Sequence, residues 1–192
     1  MSPLVVAIPP STRLSDRQFY DLCQANPDLK IERTAEGDLL FIPPTGGETG
    51  NRNAKLISRF VVWSEETQQG EVFDSSTGFK LPNGADRSPD VAWVRRDRWE
   101  ALPPEAREKF PPIAPDFVLE LMSPSDGLAI AQAKMREYID NGVRLGWLIN
   151  RSARQVEIYR PEQPVEILTS PVTLTGEAVL PGFTLTLGAV WW

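Results

Sequence analysis

The chain has no histidine among its 192 residues. That absence excludes Ser-His-Asp and Cys-His hydrolases, His-ligated zinc enzymes and any histidine general base. It also has one cysteine, Cys23, so neither an internal disulfide nor a multi-cysteine zinc site can form. Cys23 falls in an apolar helical pattern, which suits a packed core thiol. No apolar run approaches the roughly 20 residues that a membrane span needs. The first ten residues carry Pro3, Pro9 and Pro10 and no basic n-region, a poor match to a signal peptide. No membrane partner and a cytoplasmic location are therefore expected. What chemistry remains belongs to carboxylates, lysine, tyrosine and hydroxyls. Carboxylate oxygens suit a hard cation such as magnesium or manganese.

The length suits one domain, taken as residues 1–192. Hydrophobic residues make up 41% and charged residues 24%, as in ordinary globular domains. Twenty basic against 26 acidic side chains leave a net charge of −6. Such a balance disfavours tight, non-specific nucleic-acid binding, which relies on many Lys and Arg contacts to phosphate. A local basic stripe remains compatible with it.

Ser15-Asp16-Arg17-Gln18 reads as a capping box opening a helix that Asn26-Pro27 ends. Leu29 to Arg33 and Leu39 to Ile42 read as strands, turning at residues 35–38. A long helix is expected from about Glu48 to Gln68, with Leu56, Ile57, Phe60 and Val61 at helical spacing. Arg52, Lys55 and Arg59 form a basic stripe on its solvent side. Thr77 to Leu81 and Val91 to Val94 flank Pro82-Asn83-Gly84 and are expected to pair across it. Residues 95–115 hold five prolines and read as a packed excursion anchored by Trp99 and Phe110. Phe117 to Met122 reads as a buried strand. Ser123 to Asp126 ends it and can cap a helix running to Asp140, which Asn141-Gly142 stops. Residues 146–149 and 155–159 form a hairpin, with short strands beyond it. This order predicts an α/β domain built on a mixed sheet with helices on its faces.

Two strings carry the chemistry. Ser88-Pro89-Asp90-Val91-Ala92-Trp93-Val94 places Asp90 at the mouth of one apolar run, and Pro115-Asp116-Phe117-Val118-Leu119-Glu120-Leu121-Met122 places Glu120 inside another. A carboxylate within an apolar strand is costly to bury unless it is paired or bound to a metal. If Asp90 opens a strand beside Glu120, the two carboxylates approach each other, and a divalent ion would relieve their repulsion. Such an ion can activate water and stabilise charge on a phosphorus centre.

Pro89-Asp90 followed by Glu120 resembles the PD-(D/E)xK nuclease superfamily. The likeness sharpens in residues 115–126, in Lys134-Met135-Arg136-Glu137-Tyr138-Ile139 and in residues 142–149. That ordered series is similar to the Uma-two family, from about Leu14 to Trp191. The resemblance implies a restriction-endonuclease-like core: a mixed central β-sheet flanked by helices, with additional N- and C-terminal strands. It implies a magnesium- or manganese-dependent endonuclease acting on DNA, with a homodimer expected because cutting a duplex takes two sites. Asp90 and Glu120 would bind the metal. The superfamily lysine two residues after the glutamate is replaced here by Met122, and the family's helix position points to Lys134 instead. Lys134 and Tyr138, four apart, share a helix face. Glu48, opening the long helix, is a further candidate as an outer ligand.

Each residue alone has an ordinary reading. Asp90 suits a turn, Glu120 a salt bridge, Lys134 a solvated helix face, and Glu48 a favourable charge at a helix N-terminus. Only their joint order raises the site above these. Met122 and the acidic total keep open an alternative, a catalytically inactive nuclease fold that binds nucleic acid or protein. A third reading takes the hydrophobic Val190-Trp191-Trp192 terminus as a buried dimer contact.

Overall fold

The structure, a computed structural model, describes residues 3–191. Strand β1 (Leu4–Val6) leads to helix α1 (Asp16–Ala25). The capping box forms as expected: the Ser15 side chain accepts from the Gln18 N–H, and the Ser15 N–H donates to Gln18 Oε1 at 2.9 Å. Strands β2 (Lys30–Arg33) and β3 (Leu39–Ile42) make an antiparallel hairpin, and β1 pairs with the outer side of β3. Along β2, Ile31 joins Phe19 and Leu39 in a small core beneath α1. Alternation then turns Lys30 and Glu32 to the other side.

Helix α2 (Gly47–Thr67) follows, ending at Gln68 in the left-handed region with φ 56°. It delivers the chain to β4 (Gly70–Asp74). Gly70 is required here by close approach. A Cβ at this position would lie 2.3 Å from the Val94 carbonyl oxygen and 2.4 Å from the Trp93 ring.

The pairing around Pro82-Asn83-Gly84 differs from the expectation. β5 (Phe79–Lys80) pairs with β6 (Asp86–Arg87), and β6 continues onto β2. The next strand, β7 (Val91–Arg95), instead pairs antiparallel with β4. Ser88-Pro89-Asp90 is the step between the two sheets. Pro89 has no N–H to give a ladder, so the strand cannot run through it.

The excursion at 96–115 carries two short helices, α3 (Arg96–Glu100) and α4 (Pro104–Arg107). It is packed down as expected: Trp99 meets Phe73 edge-on, and Phe110 meets Phe19 and Tyr20. Then come β8 (Phe117–Met122), α5 (Leu128–Asp140), β9 (Leu145–Asn150) and β10 (Gln155–Tyr159). Gly127, not a Ser or Asp side chain, stands at the N-terminus of α5, while Asp126 accepts the Ser123 N–H instead. Strands β11 (Glu166–Thr169), β12 (Thr173–Thr175) and β13 (Thr184–Thr186) and the short α6 (Gly188–Trp191) complete the chain.

The central sheet has the order β11-β10-β9-β8-β7-β4. Among the described residues only β8 and β9, joined through α5, run parallel, so the sheet is mixed. The other large sheet has the order β1-β3-β2-β6-β5. Alternation sorts the central sheet into two cores. On one face Trp93, Phe117, Leu119 and Trp147 pack against Leu56, Phe60 and Trp63 of α2. On the other, Ala92, Val94, Val118 and Met122 pack against Met135 and Tyr138 of α5, together with Phe79 and Leu81. Val190 is buried and Trp191 packs on the first core, so these two are used within the chain rather than left for a dimer; Trp192 lies outside the described residues. Among the described residues no helix is long and apolar enough to cross a membrane.

Candidate active site

The register of β7 and β8 sets Val91 opposite Leu119. Asp90, one residue earlier, therefore falls beside Glu120, one residue later. Asp90 Oδ2 accepts the Leu121 N–H at 2.8 Å, which fixes the carboxylate at the strand mouth. Glu120 shares its sheet face with Val118 and Met122, the face covered by α5.

Helix α5 contributes two side chains one turn apart. Lys134 Nζ lies 2.8 Å from Glu120 Oε1. The Tyr138 hydroxyl donates to the same oxygen at 2.9 Å. Of the four residues singled out in the sequence, Asp90, Glu120 and Lys134 thus converge. Glu48 does not join them. Its side chain is 84% exposed on the first turn of α2 and is ion-paired with Arg52. Its electrostatic neighbours are Arg52, Arg151 and Lys55.

A fourth member of the group had no place in the sequence reading. Glu32, from β2 of the other sheet, is only 2% exposed. Its Oε1 accepts from Lys134 Nζ at 2.9 Å and from the Ser88 N–H at 3.1 Å, and its Oε2 accepts from Arg87 at 3.2 Å. Lys30 donates to the Ser88 carbonyl at 3.2 Å, and Arg87 reaches Glu137 at 2.6 Å. No signal in the sequence singled it out, because Glu32 follows Ile31 at the polar position of an alternating strand, where a solvated acid is ordinary. Its cationic partners come from residues 55 and 102 positions away.

The electrostatics divide the acids. Burial pushes Asp90 above the usual carboxylate range, despite the Leu121 N–H and the charges of Lys30 and Lys134; Glu32 adds to the rise. Burial likewise raises Glu120, with Asp90 and Glu32 reinforcing the shift against Lys134. Glu32 goes the other way. Burial opposes its charge, but Lys134, Arg87 and Lys30 outweigh it and hold the carboxyl down to about 2. Lys134 is raised: burial works against its charge, and Glu120 and Glu32 more than compensate. It is therefore a fixed cation at neutral pH rather than a base. Burial, with Glu120 and Glu32 beside it, raises the Tyr138 hydroxyl well above normal, so that group stays a hydrogen-bond donor.

Asp90 uses Oδ2 and Glu120 uses Oε1, so Asp90 Oδ1 and Glu120 Oε2 carry no hydrogen bond among the described residues. Two raised, mutually repelling carboxylates with an oxygen each to spare fit a hard divalent ion that keeps most of its waters. The chain offers a pair rather than a cage. Among the described residues no group of three or more His, Cys, Asp or Glu side chains is gathered to hold a metal. Glu32 is instead joined to Glu120 through the Lys134 ammonium.

The model of the Uma2 family, described as "Putative restriction endonuclease", matches residues 16–188. Among solved structures, a nuclease from Anabaena variabilis described as putative and as belonging to DUF820 superposes with a TM-score of 0.72 at 20% sequence identity. The match covers 84% of this chain and 89% of that one. At that identity the likeness establishes the fold, a restriction-endonuclease-like core with extra terminal strands. No curated protein matches the chain.

Proposed function

Because the chain belongs to the Uma2 family, of the PD-(D/E)xK-like nuclease superfamily, we propose that it is a divalent-metal-dependent endonuclease hydrolysing DNA phosphodiester bonds. The observation that carries this reading is the meeting of Asp90 and Glu120 on one sheet face with Lys134 Nζ 2.8 Å from Glu120. Asp90 and Glu120 would hold the magnesium or manganese ion. When bound, that ion would supply Lewis-acid charge toward phosphate oxygens and lower the pKa of water. In the reaction water oxygen bonds to phosphorus while one P–O ester bond breaks, and the leaving oxygen takes a proton. Lys134 would stabilise the extra negative charge on phosphorus oxygens, because it remains an ammonium at neutral pH. Glu32 and Tyr138 act through others: Glu32 holds the ammonium, and Tyr138 holds the Glu120 carboxylate. A homodimer in the cytoplasm completes the proposal, since each strand of a duplex needs its own site. Purified protein with magnesium or manganese is expected to nick supercoiled plasmid, and Asp90→Ala to abolish nicking. Absence of nicking, or nicking indifferent to Asp90→Ala, refutes the assignment.

A second reading has a specific observation behind it. Met122 stands where the superfamily lysine would, and Lys134 bridges Glu32 and Glu120 as an internal ion pair. That arrangement also suits a catalytically inactive nuclease fold serving as a nucleic-acid or protein binding module. Calorimetric titration separates the two. Divalent binding lost in Asp90→Ala favours the enzyme; nucleic-acid or protein binding that needs no metal favours the module.

A further inference from the structure

The basic stripe of α2 is not solvated as a whole. Arg52 is only 8% exposed. Its NH1 is spent on the Glu48 carbonyl and carboxylate, yet its buried Nε has no hydrogen-bond partner. A buried guanidinium N–H without an acceptor is costly, and such groups are rarely left so in native proteins. Arg52, Lys55 and Arg59 line a cavity of about 530 Å³ between α2 and β13, within the roughly 300–1,000 Å³ typical of small-molecule sites. Its other walls are the apolar Leu56, Leu185 and Val190 and the hydroxyl-bearing Ser58, Thr184 and Thr186. Arg151 stands at the same end of α2. Its guanidinium donates to the Val190 carbonyl at 3.2 Å, and burial followed by the charge of Arg52 lowers its pKa. Arg52, Arg151 and Lys55 thus surround one exposed carboxylate, Glu48, in a protein whose net charge is −6. The cavity lies on the α2 side of the central sheet, whereas Asp90 and Glu120 open toward the α5 side.

From the three cations that line this cavity, Arg52, Lys55 and Arg59, and from its apolar floor, we propose that this pocket binds a nucleoside phosphate, free or as the 5′-phosphorylated end of a strand. Guanidinium groups match phosphate oxygens in a planar, two-pronged contact, and lysine adds a point charge. Leu56, Leu185 and Val190 give the flat base an apolar surface, and the two threonines meet the sugar. The pocket is independent of the nuclease reading, since it shares no residue with Asp90, Glu120, Lys134 or Glu32.

The test is calorimetry on the full chain in excess chelator, which silences any metal site. The probes are AMP, adenosine, inorganic phosphate, and one oligonucleotide with and without a 5′-phosphate. Lys55 and Arg59 are exposed, so Lys55→Ala and Arg59→Ala leave the fold intact. AMP or the 5′-phosphorylated strand is expected to bind, with affinity falling about tenfold for each cation removed. Binding of the phosphorylated strand but not AMP identifies a strand end; binding of AMP but not the strand identifies a free nucleotide. Adenosine binding as tightly as AMP, inorganic phosphate binding as tightly as AMP, affinity unaltered by both alanine variants, or no binding of any probe overturns the proposal.

Discussion

Glu32→Gln isolates the charge that organises the site. The substitution keeps the shape of the side chain and removes only its ionisation. In the folded chain Glu32 titrates at about 2, against an ordinary value of 4.5. The difference corresponds to about 3 kcal/mol of stabilisation at neutral pH. The sign follows from which state binds the proton first. Between 4.5 and 2 the unfolded chain is protonated at this position while the folded chain is not. The stabilisation is therefore complete above 4.5 and is lost as pH falls through the folded value, at about 1.4 kcal/mol per pH unit. Urea unfolding of both proteins should show Glu32→Gln less stable by about 3 kcal/mol near pH 7, with the gap shrinking to about 1 kcal/mol near pH 3. Lys134 keeps Glu120 at 2.8 Å and Arg87 keeps Glu137 at 2.6 Å in the variant, so neither cation is stranded. A gap of the same size at both pH values would show that the cations around Glu32 do not hold it ionised, and the electrostatic account of the site would fail.

Lys134→Met should slow plasmid nicking about 10²–10³-fold, the usual loss when one preorganised donor to a developing oxyanion is removed; near-UV circular dichroism checks that the variant is folded, and nicking at the wild-type rate removes Lys134 from the chemistry. Burial raises both Asp90 and Glu120, and both must be ionised to hold a cation. Nicking should therefore decline on acidification at a pH above the ordinary carboxylate range, and more magnesium should shift that decline to lower pH; a profile indifferent to magnesium contradicts the assignment of these two ligands. Gly70→Ala should cost about 1–3 kcal/mol by overpacking, since the new Cβ would press on the Val94 backbone oxygen at 2.3 Å. Gly146→Ala should cost less, because its closest contact, at 2.5 Å, is the mobile end of Met135; equal losses in thermal denaturation would refute the distinction.

What the sequence could show and what it could not divide along one physical line. Local rules placed the capping box of α1, the span of α2, the β2–β3 and β9–β10 hairpins and the strand β8. Period-two alternation groups Glu120 with Val118 and Met122 on one strand face, and a strand start at Asp90 was enough to bring the two acids together. Pairing across Pro82-Asn83-Gly84 was misjudged, because the better strand, Val91 to Val94, belongs to a different sheet from the two-residue β6 that actually closes the turn. Two residues carry too little periodicity to register as a strand. Glu32 was hidden by the same error. In a free β2–β3 hairpin its face is solvated, and only the addition of β6 to β2 brings Arg87 and Ser88 over it. Arg52 was assigned to a solvent-facing stripe because helical spacing alone does not reveal that β13 and α6 cover that side of α2.

The placement of the site follows from that hidden joint. Glu32 belongs to one sheet, Glu120 to the other, and Asp90 to the three-residue step between them. Lys134 reaches the two glutamates at once from α5, and Arg87 of β6 binds Glu137 of the same helix. Apolar contacts of Phe79, Leu81 and Ala85 also cross the joint, but its centre is a chain of charges. Most buried ion pairs gain little over an apolar replacement, since desolvation cancels much of the attraction. Here the charges hold the two sheets in register while leaving Asp90 and Glu120 under-neutralised, with one free oxygen each. An apolar joint of the same shape could hold the sheets together, but it could not present two carboxylates and a fixed ammonium to a phosphate. The polar joint is thus better explained by the chemistry proposed for the site than by stability alone.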